Sequence, residues 1–140
     1  MDELIPVACA ILKNGEKIFA AKRRTDQFPP DCWELPGGKI ELNETPSAAI
    51  KRELLEELAM HVCPEEEREP CEHDYGKFQV RLFPIICSTS SQTFTLREHA
   101  DAGWFTIEEC SNLKWSAADI PILKKYVLKG GRDELLVGKS

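Results

Sequence analysis

No stretch of the 140-residue chain approaches the ~20 consecutive apolar residues of a membrane-spanning helix. Clustered lysine and arginine are equally scarce, and the pI is near 5.1. A nucleic-acid polymer therefore has no basic stripe to bind. The six cysteines (Cys9, Cys32, Cys63, Cys71, Cys87, Cys110) include no C-x-x-C pair. Met1-Asp2-Glu3 supplies no basic segment ahead of an apolar core, so no signal peptide is read there. These absences predict a cytoplasmic chain with reduced thiols. Cys9 and Cys87 fall inside apolar runs and behave as small hydrophobes. Cys71 and His73 lack the second ligand pair that zinc requires, and no cysteine is assigned a role. There is no internal repeat and no low-complexity linker.

What is present is a 42% hydrophobic chain of net charge -6. Its length suits one domain that buries about two-thirds of the surface of its unfolded chain. The reading places that domain at residues 1–130 and a mobile tail at 131–140, with monomer and homodimer both left open. The charge is unevenly spread. Residues 41–69 hold nine acidic side chains (Glu41, Glu44, Glu53, Glu56, Glu57, Glu65, Glu66, Glu67, Glu69) against Lys51, Arg52 and Arg68, so the whole excess lies in that segment.

Residues 4–12 and 17–21 read as strands joined by a hairpin at Asn14-Gly15. A Pro- and Asp-containing loop over 25–32 and a turn at Pro36-Gly37-Gly38 follow. A helix is predicted over 45–60, with Thr45 as N-cap and Pro46 at its first position. Residues 65–70 read as an acidic loop, and 80–87, 93–96 and 103–106 as strands. Thr106 and Glu109 fit a capping box for a short helix, and a last helix runs from 119 or 120 to about 128, ended by Gly130-Gly131. Strands and helices mix without regular alternation, which predicts an α+β fold.

The informative segment is Arg52-Glu53-Leu54-Leu55-Glu56-Glu57-Leu58. At about 100° per residue, Glu56 and Glu57 fall about 60° and 40° to either side of Glu53, with the leucines roughly opposite. Three carboxylates share one helix face. Such a face can be a solvated surface, although like charges at these spacings each cost a few tenths of a kcal/mol. It can equally ligate a hard cation such as Mg²⁺ or Mn²⁺, which turns the repulsion into binding.

The surrounding residues add a pattern. Gly38, Glu44, Arg52, Glu53, Leu54, Glu56, Glu57 and Met60 stand at the spacing G-x5-E-x7-R-E-U-x-E-E-x-G-U, U being a bulky aliphatic residue, with Ala59 replacing the last glycine. The chain thus resembles the Nudix hydrolases, and Trp33 to Glu41 resembles their MutT-like branch. The resemblance implies a mixed β-sheet sandwiched between α-helices. It also implies Mg²⁺-dependent hydrolysis of a nucleoside triphosphate to the monophosphate and pyrophosphate, in the service of nucleotide-pool sanitation. By resemblance, Glu53, Glu56, Glu57 and the Gly37 carbonyl ligate metal, while Glu44 and Arg52 fix the loop and orient Glu53. Glu98 matches a carboxylate that the branch places across the cleft as a metal ligand or base, or is an ordinary solvated loop residue. The general base is Glu53 or Glu98. Ala59 in place of glycine brings the geometry of the helix exit into question.

Arg23 resembles a nucleoside-contacting position, and Lys39 is a second basic candidate for phosphate or base contacts. Phe28, Phe78 and Trp33 are stacking partners or scaffold. Asp119, in Ala117-Ala118-Asp119-Ile120-Pro121, is either a helix N-cap or a base-reading carboxylate, and its segment resembles bacterial CTP pyrophosphohydrolases. A carboxylate accepts hydrogen bonds, which suits the amino group of cytosine or the N1–H and 2-amino group of an oxidised guanine. The leading substrates are accordingly 8-oxo-dGTP and cytidine triphosphates. Two rivals stand beside this reading. One is a hydrolase of nucleoside diphosphate sugars or dinucleotide polyphosphates, branches that carry a proline or tyrosine downstream of the box, as Tyr75 stands 15 residues past Met60. The other is a non-catalytic nucleotide-binding module.

Overall fold

A computed structural model describes residues 4–127. Strand β1 (Leu4–Asn14) is the axis of a mixed sheet. Over residues 4–12 it pairs in parallel with β7 (Gln79–Ser88). On its other edge Val7 to Cys9 pair with β4 (Gly37–Lys39), and its last residues pair with β2 (Lys17–Lys22). Strand β2 carries β3 (Trp33–Glu34) and β8 (Asp101–Thr106), while β7 carries β5 (Cys63–Glu67) and β6 (Cys71–Asp74).

Alternation along β1 builds two cores. Ala8, Ala10 and Leu12 meet Ile50, Leu54 and Leu58 of α1 (Pro46–Leu58), whereas Cys9 and Ile11 meet Ile122, Leu123 and Tyr126 on the opposite face. Those last residues belong to a helical segment made of a 3₁₀ turn (Ala117–Asp119), α3 (Ile120–Ile122) and a wider π turn (Leu123–Val127). A strand covered on both faces reads as an unbroken apolar run, which is the pattern of residues 4–12. The expected sandwich of helices about a mixed sheet is observed. Leu54 is fully buried, and replacing such a residue by alanine costs about 2–5 kcal/mol.

Helix α1 follows from local signals. The Thr45 hydroxyl accepts the Ala48 N–H at 3.1 Å, and Pro46 opens the first turn. At the exit, Ala59 adopts φ 55° and ψ 35°, and the N–H groups of Ala59 and Met60 reach the Leu55 and Leu54 carbonyls at 3.1 Å each. The left-handed exit is therefore kept without glycine, at roughly 1 kcal/mol. The capping box of the short helix α2 (Ile107–Cys110) is present as expected, with both hydrogen bonds made.

Several expectations are corrected. The hairpin turns on Gly15 and Glu16, because Asn14 pairs with Lys17. Gly15 has φ +64° while Glu16 does not, as in a turn with glycine at its first central position. Residues 93–96 form no strand. Phe94 instead packs edge-on against Phe19 at 5.1 Å, so its apolar signal reports core packing. The acidic 65–70 segment is partly strand, since Glu66 and Glu67 pair with β7, and an exposed edge strand tolerates charge. Strand β6 was not expected, and Tyr75 lies in the turn after it. The last helical turns begin at Ala117, ahead of Asp119, while their predicted end at 128–131 and the 131–140 tail lie outside the described residues.

Candidate active site

Two glycines bring α1 against the sheet. A Cβ on Gly37 would stand 1.9 Å from the Ala8 carbonyl oxygen, and one on Gly38 would stand 2.3 Å from Cδ of Glu53. Only a bare backbone fits between β1 and the Glu53 carboxylate. This places the Gly37–Lys39 backbone beside the acidic face of α1.

Arg52 organises the entrance to that face. Its Nε and Nη2 donate to the two oxygens of Glu44 at 2.7 and 2.8 Å, and Nη2 also donates to the Lys39 carbonyl at 3.0 Å. Its Nη1 reaches Glu53 at 2.8 Å and Glu56 at 3.4 Å. Glu44 further accepts the Glu41 N–H at 2.9 Å. With the Arg52 bonds first and that N–H second, its carboxyl is held down to about 2. Arg52 thus ties Glu44 and the Lys39 carbonyl to Glu53, while Glu44 itself contacts Arg52 and the Glu41 N–H.

Glu57 is in the opposite condition. Burial, then the hydrogen bond and charge of Glu53, then the charges of Glu98 and Glu34 push its carboxyl up to about 9. The fold thus gathers Glu53, Glu57 and Glu98, which the sequence separates by up to 45 positions. Glu56 is more exposed and leans toward Arg52. Among the described residues no three acidic, His or Cys side chains enclose a cation ready-made. The donor set is nevertheless all hard oxygen, and Glu57 holds a proton that a divalent cation can displace.

A cavity of about 280 Å³ opens on the other side of β4. Arg23, Phe28, Lys39, Phe78 and Asp119 all line it, together with the Gly37 and Gly38 backbone. Arg23 is also committed to structure: Nε donates to the Pro29 carbonyl at 2.8 Å, Nη2 to the Phe28 carbonyl at 3.1 Å and Nη1 to Glu34 at 2.9 Å. Phe28 meets Phe78 and Tyr75 edge-on at 5.9 and 6.0 Å, and the Lys77 ammonium stands 4.5 Å from its ring centre. Trp33 is outside this wall and packs on Phe105 at 5.1 Å, a scaffold position.

Asp119 makes no capping bond. Its Oδ2 accepts the Leu35 N–H at 3.0 Å, and burial, followed by the charge of Glu34, raises its carboxyl well above the usual carboxylate range. The helix N-cap alternative falls because the 3₁₀ turn starts two residues earlier. Sequence reasoning assigned no role to Glu34, His99 and Ser116, and read Tyr75 only as the mark of a rival branch. The Tyr75 hydroxyl is 2.5 Å from Ser116 Oγ and accepts the Ala118 N–H at 3.1 Å, which fixes the turn that carries Asp119. The downstream tyrosine is thus part of the cavity wall.

The NUDIX domain model matches residues 3–126. The chain belongs to the Nudix family. As a Nudix hydrolase it acts on phosphoric anhydride bonds. It is 28% identical over 125 residues to the CTP pyrophosphohydrolase of Escherichia coli K12, covering 89% of this chain and 93% of that protein. It is 30% identical over 114 residues to the 8-oxo-dGTP diphosphatase of Haemophilus influenzae, covering 74% and 84%. Among solved structures, the E. coli ORF135 protein superposes with a TM-score of 0.76 at 27% identity over 94% of both chains. A MutT protein of the Nudix hydrolase family from Staphylococcus aureus superposes at 0.70, with 34% identity over 93% of this chain and all of that one.

Proposed function

We propose that this Nudix hydrolase is a Mg²⁺-dependent nucleoside triphosphate pyrophosphohydrolase that converts a nucleoside triphosphate and water to the monophosphate and pyrophosphate. The observation that carries the reading is the junction at Gly37–Lys39, where one strand backbone borders both the carboxylate face of α1 and the cavity that holds Asp119. A base in the cavity therefore sends its phosphates toward Glu53, Glu56, Glu57 and Glu98.

Those four carboxylates and the Gly37 carbonyl would hold the metal. A bound divalent cation supplies neutralisation of phosphate charge and a water of lowered pKa. Arg52 keeps Glu53 oriented, Glu44 keeps Arg52 in place, and Glu53 or Glu98 takes the proton of the attacking water. Lys39, at the junction, offers a cation to the polyphosphate.

For the base, cytidine triphosphates come first. Asp119 lines the cavity with its Oδ2 fixed by the Leu35 N–H, and its carboxyl oxygens offer acceptors to the amino group of cytosine. The second reading, 8-oxo-dGTP, is supported by the named activity of the H. influenzae relative. Steady-state rates with Mg²⁺ on CTP, dCTP, 5-methyl-dCTP, 8-oxo-dGTP, ADP-ribose and diadenosine polyphosphates test the proposal. The expected result is pyrophosphate release, fastest from cytidine triphosphates and lost in Asp119→Ala. Preference for ADP-ribose or a dinucleotide polyphosphate would overturn it.

A further inference from the structure

Glu98 stands exposed on the bend at 97–100, and among the described residues no hydrogen bond holds its own carboxylate. Its position depends on what anchors residues 97–100. On one side Arg97 Nη1 donates to the Glu56 and Leu55 carbonyls at 3.1 and 3.4 Å, over the last turn of α1. On the other side His99 turns inward, with its side chain only 5% exposed, and Nε2 lies 3.2 Å from Glu34 Oε2. A carboxylate only accepts, so Nε2 carries the hydrogen.

Glu34 has a second commitment. Its Oε1 takes Arg23 Nη1 at 2.9 Å, and the rest of that guanidinium holds the carbonyls of Phe28 and Pro29 at the mouth of the cavity. One carboxylate therefore grips two loops that lie on opposite sides of the junction. The arrangement carries a stability penalty, because among the described residues the buried His99 Nδ1 has no partner. An apolar side chain would fill the same space without it, so the value of the imidazole lies in the Nε2 link.

We propose that His99 and Glu34 form a positioning bridge that holds the Glu98 bend in the catalytic cleft and joins it to the Phe28–Pro29 segment over the nucleoside cavity. The proposal rests on the reading of Glu98 as a metal ligand or base. His99 is a positioning residue and touches neither metal nor substrate. Removing such a supporting contact lowers activity by about 10–100-fold.

The test compares His99→Leu, His99→Gln, Glu34→Gln and Glu98→Gln, singly and as the Glu98→Gln/His99→Leu pair. Readouts are kcat, KM for CTP with Mg²⁺, thermal midpoint, and amide hydrogen exchange of the metal-free protein. His99→Leu is expected to lower kcat about tenfold with KM within about twofold, and His99→Gln, which keeps a donor near Nε2, to restore most of it. Exchange should rise at 97–100 only in His99→Leu, and at both 97–100 and 28–32 in Glu34→Gln, which also raises KM. In the Glu98→Gln background, His99→Leu should add no further loss. Multiplying losses, or His99→Leu with wild-type kcat and exchange, overturn the bridge alone. Wild-type turnover in Glu98→Gln removes Glu98 from the reaction, and the proposal with it. Should His99→Leu fail to fold, the Gln variants at 99 and 34 decide by the same exchange and KM criteria.

Discussion

Two carboxylates of the acidic segment, one ahead of α1 and one in its last turn, are treated in opposite ways. Glu44, ahead of α1, has a guanidinium on both oxygens and a backbone N–H besides, and stays ionised to about pH 2. Glu57, three turns on, faces other carboxylates in a half-buried setting and keeps its proton to about pH 9. The chain compensates the first group from within and leaves the second for something it does not carry. Glu44 is balanced by the chain's own Arg52, whereas no basic group is among the causes that act on Glu57, which is why the proposed metal is assigned to that end of the face.

The largest expected effects break this comparison at Glu57 and Glu53. Glu57→Gln and Glu53→Gln should each cut turnover by orders of magnitude without unfolding the protein, as measured by pyrophosphate release beside a thermal melt. For Glu57 the amide imitates the protonated acid, so the metal-free variant should melt no lower than the wild type at pH 8. Near-normal rates in both variants would remove the acidic face from the reaction.

The pH dependence of stability sharpens it. Glu57 has a folded pKa of about 9 against the ordinary 4.5, so the folded state binds the extra proton and the metal-free protein loses stability as pH rises from 4.5 to 9. Mg²⁺ replaces that proton, and its stabilising effect should grow across the same range. Glu44 runs the other way. Its pKa of about 2 stabilises fully above 4.5, and the contribution disappears as pH falls from 4.5 toward 2. Melts with and without Mg²⁺ should therefore diverge toward alkaline pH in wild type but not in Glu57→Gln, while Glu44→Gln should melt lower than wild type at pH 7 and converge with it in acid.

What could be read from the residues alone divides along sequence distance. Helix α1, its Thr45 cap and its carboxylate face follow from signals within one or two turns, and all were legible. Strand β1 was legible too, as a continuous apolar run, and the structure adds that both its faces are covered. Long-range pairings were not. The His99–Glu34 contact spans 65 residues and the Asp119–Leu35 bond spans 84, so neither side chain carries a local mark of its partner. For Asp119 the local mark left two readings open, because Asp ahead of a helix satisfies the capping rule, and only the tertiary structure shows the oxygen taken by Leu35. Phe94 misled, since a strand-like composition was produced by packing against Phe19.

The smallest expected effect lies just beyond Glu57, where the motif departs from its pattern. Ala59 already holds the left-handed conformation, with φ 55°, so glycine would relieve strain there without altering the path of the chain. Gly also raises the entropy of the unfolded chain, which offsets part of the gain. The net for Ala59→Gly is a stabilisation of no more than about 1 kcal/mol, read as a small rise in urea midpoint at unchanged slope. Turnover should stay at the wild-type level, because the exit that points Glu53, Glu56 and Glu57 is the same in both. A change in kcat with unchanged stability would show that Ala59 shifts the last turn of α1, and with it the Glu57 carboxylate that lacks the arginine Glu44 has.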